Sequence, residues 1–260
     1  MSLEGIIDHG VFKPTYAKPH LITANDAQDY IVKFPAPNEC KSIFNEYLGG
    51  KIAEHFGLTS LEPEIINLDE EFIKNSADLT SRNISPGDYF ATLKMNNSYS
   101  LGEENAKRID LSKIENLSEV PEFIIFDIIF CNNDRNNGNS MLIPIDDVRG
   151  KFRYHLIDHG FCFNGPNWNI PAIQNIPNKL GCIPWNTSTI TELSQFEVPA
   201  EMMTSLTSTD LIKMINMTPI EWRPSKEEII ALTLTLSNRS YDSIMKVIMD
   251  NKALFTNWVK

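Results

Sequence analysis

The chain has 260 residues, of which 42% are apolar and 22% charged, a composition that is ordinary for a soluble globular protein. Its formal net charge of −11 argues against a general affinity for DNA or RNA, which requires a basic surface. No apolar run approaches the roughly 20 residues that cross a bilayer, so we expect no stable membrane association.

The N-terminus and the cysteines indicate the cellular setting. The first residues, MSLEGIIDHG, lack the basic region and apolar stretch of a secretory signal. Cys40, Cys131, Cys162 and Cys182 form no CxxC pair and no tight cluster with histidine. The sequence therefore favours a reduced, cytoplasmic setting and does not predict a zinc site.

The first third of the chain predicts a strand-rich region. Short strands flank a loop in VFKPTYAKPHLIT, and DYIVKF, PEIINL and DYFATLKM each read as a strand. NECKSIFNEYLGGKIAEHFG predicts a helix, because apolar residues recur at helical spacing from Ile43 to Phe56, and Gly57 is a plausible C-terminal stop. The pair Gly49 and Gly50 weakens that helix.

The middle of the chain predicts a connection, a helix and a hairpin. The polar segment 96–116 is the best candidate for a connection between two lobes. SEVPEFIIFDIIFCN then predicts a buried helix, followed by a loop and by the strands SMLIPI and KFRYHLID, joined by DDVRG. Segment 164–188 is rich in Pro, Asn and Gly but carries Trp168 and Trp185, which predicts a long, ordered surface segment.

The C-terminal quarter predicts helices. STDLIKMINM is expected to begin at a cap on Ser208 or Thr209. PSKEEIIALTLTLSNRSYDSIMKVIMD begins with Pro224 near its first turn and with a Ser225–Glu228 capping box. The order of elements therefore predicts an α+β chain, with strands mainly in the first part and helices mainly in the second.

Five polar residues match what phosphoryl transfer from ATP requires. That reaction needs oxygen ligands for Mg²⁺, a lysine on the phosphates, a carboxylate to orient the lysine, and an acid beside the acceptor hydroxyl. Lys33 lies in DYIVKF and Glu46 in the following helix. Asp134 follows the buried helix, Asn139 comes five residues later, and Asp158 ends HLID. The hairpin would return Asp158 beside Asn139, which predicts a metal between them.

Each of these residues also has an ordinary structural explanation. Asp134 and Asn139 are of the types that dominate turns, and a strand lysine or a helix glutamate is usually solvated. Asp127, in IIFDIIF, is an acid within an apolar run, and we expect a structural partner for it, such as the backbone of the following loop. The combination, rather than any single residue, favours a site.

These motifs resemble the catalytic core of the protein-kinase-like superfamily. DRNNGN, a hairpin and IDHG stand in the positions of the catalytic loop and of the metal-binding Asp-Phe-Gly. YIVKF, NEYLGGKIAEHFGL, FDIIFCNNDRNNGNSML and LIDHGFCF are most similar to the HipA-like kinases, in the compact bacterial group with a single kinase-like domain. The resemblance covers roughly residues 10 to 240 and implies a bilobal fold: a strand-rich N-lobe (1–95), a connection (96–116) and a helical C-lobe (117–260).

The resemblance also implies a role for each matching residue. Lys33 would bind the phosphates of ATP and pair with Glu46. Asp134 would act as the catalytic base or orient the acceptor hydroxyl. Asn139 and Asp158 would hold Mg²⁺, and the acceptor would be a Ser or Thr hydroxyl of a protein.

Other positions match the family less closely. The strand DYFATLKM would lead to a hinge that receives adenine around Leu93 to Met95, and Arg135 would be a structural or phosphate-facing partner of Asp134. KPTYAKPH stands where other kinases carry a Gly-rich phosphate loop, with Thr15 and Lys18 as candidate phosphate contacts. His159 replaces Phe in the Asp-x-Gly element, where it is expected to pack.

Three alternatives stay open at this point. The chain could be a pseudokinase, which binds nucleotide without turnover and acts through partners. It could phosphorylate a lipid or a small molecule, although an acidic chain is poorly matched to anionic membranes. It could also transfer AMP in place of phosphate.

Overall fold

A computed structural model describes residues 2–13, 15–36, 38–146, 148–181 and 187–259, and its first part is a closed five-stranded barrel. The strands pair in the order β1-β2-β3-β5-β4. Neighbouring strands are antiparallel, except that β1 and β4 are parallel where they close the barrel. The strands are β1 (Leu3–Val11), β2 (His20–Ala24), β3 (Asp29–Lys33), β4 (Glu64–Leu68) and β5 (Gly87–Leu93).

Alternating burial along the strands fills the barrel and directs Lys33 out of it. Ile22, Val32 and Ile66 are fully buried in the barrel core. Side chains alternate between the two faces of a strand, so Lys33 shares the other face of β3 with Ile31. Both residues line the cleft described below, as their spacing in the sequence predicts.

The helix α1 (Ser42–His55) stands between β3 and β4 in the chain and packs against the core of the helical part, and Gly57 follows it with a φ of +68°. The two glycines that weaken the helix in the sequence have a packing role. A Cβ on Gly49 would stand 2.6 Å from the Cβ of His159, and one on Gly50 would stand 2.9 Å from Pro63. Glycine is therefore required for the close approach of α1 to its neighbours.

The second part of the chain is mainly helical. The helix α5 (Val120–Ile129) is buried on nearly all sides, as the sequence predicts, and the hairpin β7–β8 follows it and pairs with β6. No helix among the described residues is long and apolar enough to cross a membrane. The strands are β6 (Tyr99–Ser100), β7 (Ser140–Asp146) and β8 (Lys151–Leu156), and the further helices are α2 (Glu70–Asn75), α3 (Ala77–Ser81), α4 (Glu104–Lys107), α6 (Ile170–Gln174), α7 (Glu197–Thr204), α8 (Ser208–Asn216), α9 (Lys226–Leu236) and α10 (Tyr241–Asp250).

The helix ends differ in part from the sequence predictions. The cap of α8 is Thr207, not Ser208 or Thr209, because the Thr207 hydroxyl accepts from the N–H of Asp210. The capping box of Ser225 and Glu228 at the start of α9 is confirmed. The segment that follows is two helices, since α9 ends at Leu236 and α10 begins at Tyr241. Cys182 and Trp185 lie outside the described residues.

A charged network centred on the buried His20 ties β1, β2 and α3 together on one side of the barrel. His20 is fully buried, and its Nδ1 and Nε2 each lie 2.9 Å from a carboxylate oxygen, of Asp8 and Asp78 respectively. Both ring nitrogens must donate, so this geometry requires the imidazolium form. Burial opposes that charge, but the two carboxylates outweigh it and raise the pKa of His20 above its ordinary value.

The network predicts a stability that decreases with rising pH. Because the folded pKa of His20 is raised, its contribution is complete below the unfolded pKa of about 6.5 and is lost as pH rises through the folded value. We expect wild type to exceed His20→Gln by about 2 kcal/mol in unfolding free energy at about pH 6. Urea unfolding at a series of pH values measures this difference in unfolding free energy between wild type and His20→Gln, and His9→Gln is the control at an exposed histidine. A difference that stays constant or grows with pH would contradict the prediction.

Candidate active site

A cleft of about 510 Å³ lies between the barrel and the helical part of the chain. It collects residues that are far apart in the sequence, from the loop before β2 to the turn after β8. The predicted site residues that line it are Thr15, Lys33, Glu46, Leu93, Met95, Asp134, Asn139 and Asp158. The structure thus brings nearly all of the predicted site residues together. The binding roles of these residues stay predictions.

Lys33 joins two carboxylates at the inner end of the cleft. Its Nζ forms an ion pair with Glu46 Oε1 and lies 2.9 Å from Asp158 Oδ1. Burial alone would lower the pKa of Lys33, but Asp158 and Glu46 raise it above its ordinary value. Burial favours the neutral form of Asp158, yet Lys33 outweighs burial and lowers the pKa of this carboxyl. Lys33 is therefore a fixed positive charge, and Asp158 an anion.

Glu46 also binds the backbone that follows Asp158. Its second oxygen, Oε2, accepts the N–H of His159 at 2.8 Å, so one carboxylate binds both the lysine and the turn after β8. Burial raises the pKa of Glu46 above its ordinary value, against the opposing effect of Lys33. Asp158 adopts a φ of +63°, a left-handed conformation that turns the chain sharply. These contacts fix the direction of the Asp158 side chain.

His159 packs as the sequence predicts. Its ring meets that of Phe126 edge to face, with ring centroids 5.4 Å apart. Neither ring nitrogen has a hydrogen-bond partner among the described residues. Burial lowers the pKa of His159 to about 3, so the ring is neutral near pH 7.

The loop after α5 holds Asp134 by means of two asparagines. The side chain of Asn132 accepts the N–H of Asp134 at 3.2 Å. Asn139 donates through Nδ2 to the Asp134 carbonyl at 2.6 Å and to its carboxylate oxygen Oδ2 at 3.0 Å. The spacing of five residues thus closes a tight loop in which the side chain of Asn139 orients that of Asp134.

Arg135 has a different partner from the one that the sequence suggested. It forms a bidentate, fully buried ion pair with Asp127, not with Asp134: Nε lies 2.9 Å from Oδ2 and Nη2 lies 3.1 Å from Oδ1. Its Nη1 donates to the carbonyls of Asn139 and Ile157. Asp127 therefore has the structural role expected for a buried acid, although its partner is a side chain and not the loop backbone.

The described residues of the segment that stands in the place of a Gly-rich loop, 12–13 and 15–19, lie along one side of the cleft. Thr15 lines the cleft, but Lys18 does not. Instead, the Lys18 carbonyl accepts from Arg82 at 3.1 Å, and Arg82 also lies 3.4 Å from the Ala17 carbonyl. Sequence reasoning missed Arg82, because no local motif signals a contact across 64 residues.

Three residues that line the cleft were also missed. Lys13 and Lys94 add positive charge to the cleft, and Glu39 adds a further carboxylate. Burial, together with Asp158 and Asp134, raises the pKa of Glu39 above its ordinary value, which indicates that these acids lie near one another. Only the unusual stretch APNEC between β3 and α1 could have drawn attention to Glu39.

The donor set fits a divalent cation that arrives with a nucleotide. Asn139 and Asp158 offer amide and carboxylate oxygens, the ligands that Mg²⁺ prefers. The carboxylates in the cleft would repel a polyphosphate that came without a cation. Among the described residues, no cluster of three or more His, Cys, Asp or Glu side chains forms a metal site by itself, so phosphate oxygens or waters would complete the coordination.

The fold is that of a protein-kinase-like protein. The chain matches a crystal structure of the Helicobacter pylori proinflammatory kinase CtkA, over 98% of this chain and 100% of that one, with a TM-score of 0.62 and 16% identity. It also matches the Golgi casein kinase with Mn/ADP bound, over 97% of this chain and 74% of that one, with a TM-score of 0.53 and 10% identity. Both show a likeness of fold alone.

Sequence comparison gives the family. A family model described as HipA-like kinase matches residues 9–251, and the chain belongs to that family. The resemblance stated from the motifs is thus confirmed, as is a mixed fold with a strand-rich first part. No curated protein matched the sequence.

Proposed function

We propose that the protein is an ATP- and Mg²⁺-dependent kinase that phosphorylates Ser or Thr hydroxyls of a protein. The family and the fold support phosphotransferase chemistry in general. One observation carries the finer proposal: Lys33, Asp134, Asn139 and Asp158 line the same cleft, with the ion pair between Lys33 and Glu46 already formed.

Each residue has a role that its contacts support. Lys33 binds the ATP phosphates, and Glu46 fixes the direction of its ammonium group. Asp134 accepts the proton of the acceptor hydroxyl or orients that hydroxyl, while Asn139 holds its carboxylate in place. Adenine would lie beside Leu93 and Met95.

Asn139 and Asp158 would hold Mg²⁺ through their side-chain oxygens. When bound, the cation neutralises the negative charge of the phosphates. Lys33 contacts Asp158 in this structure. When a nucleotide binds, the ammonium group of Lys33 would contact both that carboxylate and the phosphates.

The choice of a protein acceptor rests on the family resemblance. The absence of a nucleic-acid partner stays a prediction from the acidic net charge. A lipid or small-molecule acceptor and the transfer of AMP are outcomes that the test below separates from the proposal.

The test is transfer of label from ATP to the protein itself or to a mixed protein substrate. We expect γ-labelled ATP with Mg²⁺ to give phosphoserine or phosphothreonine, and a chelator to abolish the reaction. Label transferred from α-labelled ATP would instead indicate AMP transfer. A thermal shift with Mg·ATP but no transfer would identify a pseudokinase, and label found only in lipid or small molecules would refute the protein acceptor.

A further inference from the structure

The residue before Glu46 in α1 is a buried asparagine whose contacts cross to the segment after Asp158. We propose that Asn45 is a positioning residue that fastens α1 to residues 160–168, so that the site is assembled without a phosphate on that segment. This inference rests on the proposed kinase function and explains how the pair of Lys33 and Glu46 is maintained.

The amide of Asn45 uses both of its ends. Its Nδ2 lies 2.9 Å from the Gly160 carbonyl, 3.0 Å from that of Cys162 and 3.1 Å from that of Gly165. Its Oδ1 accepts the indole N–H of Trp168 at 3.0 Å. Asn45 is fully buried, so no water competes for these bonds. The side chain must both donate and accept, which an aspartate or an alanine cannot do.

The segment that Asn45 holds has an unfavourable backbone. Asp158, Phe163 and Asn164 have φ values of +63°, +60° and +74°, in the left-handed region that non-glycine residues rarely adopt. Such conformations persist where the surrounding structure determines them. Asn45 binds carbonyls on both sides of Phe163 and Asn164, which places it among the contacts that hold this backbone.

Helix α1 is itself packed against the C-terminal part of the chain. Phe44, Leu48 and Ile52 are buried in the large core that also contains α5 and the later helices. Lys41 donates to the Trp168 carbonyl at 2.6 Å, and its Nζ lies 4.7 Å from the centre of the Trp168 ring. An outward movement of α1, which would break the pair of Lys33 and Glu46, must therefore expose this face and break the Asn45 bonds.

The sequence of the segment excludes an alternative way of ordering it. From Asp158 to Asn186 the chain contains no Ser, Thr or Tyr. In kinases whose activation loop is ordered by phosphorylation, a phosphorylated Ser, Thr or Tyr of that loop pairs with arginine. Residues 158–186 offer no hydroxyl on which such a phosphate could form. The contacts of Asn45 are fixed in the sequence and need no modification.

The test compares two buried asparagines. Asn116 is 2% exposed, and its side chain binds both the N–H and the carbonyl of Tyr154 at 2.8 and 3.0 Å, outside the cleft. We expect Asn45→Ala to lower kcat at least about tenfold and to raise the half-saturating Mg²⁺ concentration severalfold, because Asp158 loses its position. Asn116→Ala should lose comparable stability in urea while keeping both kinetic values.

The outcomes are separable under conditions in which the variants are folded. Wild-type values of kcat and Mg²⁺ dependence in Asn45→Ala, or equal kinetic losses in the two variants, would overturn the proposal. If Asn45→Ala does not fold, Asn45→Ser is judged by the same criteria. If wild type binds Mg·ADP but transfers no phosphate, the proposed kinase function is refuted. The role of Asn45 is then decided by the Mg²⁺ concentration that gives half of the ADP-induced shift in Tm, compared between wild type and Asn45→Ala.

A second measurement tests independence from phosphate. Wild-type protein treated with a phosphatase, and confirmed by mass to be unmodified, should transfer phosphate at the rate of untreated protein from the first turnover. A rate that is low at first and rises as the protein phosphorylates itself would overturn the claim that the site is already assembled.

Discussion

Replacing Asp134 with asparagine is expected to reduce phosphoryl transfer by about 10²–10⁴-fold while leaving the binding of Mg·nucleotide nearly unchanged. The amide keeps the size of the side chain but cannot accept a proton from the acceptor hydroxyl. Asp134 is exposed in the cleft and belongs to no ion pair among the described residues, so its loss should not affect folding. Initial rates with γ-labelled ATP and a thermal shift with Mg·ADP give the two quantities.

A matched control is Asp146→Asn. Asp146 is a carboxylate at the end of β7, outside the cleft, and it faces Arg149 at 3.6 Å. This variant should keep the wild-type rate. Transfer that survives Asp134→Asn at more than about a tenth of the wild-type rate would remove Asp134 from the chemistry.

Breaking the ion pair of Asp127 and Arg135 should have the largest effect on stability. Arg135→Met leaves the buried carboxylate of Asp127 without its cation, which costs about 3–5 kcal/mol in unfolding free energy. Burial already raises the pKa of Asp127 in the native protein, despite the opposing effect of Arg135. Urea unfolding of the variant at neutral pH measures the loss.

The double variant Asp127→Leu, Arg135→Met separates stability from catalysis. Removing both charges leaves no uncompensated ion, so a substantial part of the lost stability should return. Transfer should not return, because the carbonyls of Asn139 and Ile157 still lack the guanidinium that links the loop 134–139 to the residue after β8. An Arg135→Met protein within about 1 kcal/mol of wild type would show that the pair has no structural role.

Sequence reasoning succeeded where a short pattern determines geometry. The six residues from Asp134 to Asn139 close one loop, and a hairpin must return Asp158 beside that loop, so both placements follow from local chain geometry. The alternation in DYIVKF gave the correct face for Lys33 for the same reason.

Prediction from the sequence failed where a residue's hydrogen-bonding or ion-pair partner is distant in the chain, or where adjacent residues could fill the same position. Arg135 is adjacent to Asp134, yet Asp127 lies eight residues earlier on a buried helix and provides the only carboxylate that Arg135 contacts among the described residues. The cap of α8 is one residue earlier than predicted, since Thr, Ser and Thr follow one another and any could cap. Asn45 binds carbonyls at least 115 residues away in the chain, and no local sequence motif predicts such contacts.

The central claim is that Lys33, Asn139 and Asp158 together hold Mg·ATP in the cleft. A crystal structure with Mg²⁺ and a non-hydrolysable ATP analogue tests it directly. We predict a cation bound to oxygens of Asn139 and Asp158, phosphates beside Lys33, adenine beside Leu93 and Met95, and the γ-phosphate facing Asp134. A nucleotide bound elsewhere, or a cation that contacts neither Asn139 nor Asp158, would contradict the claim.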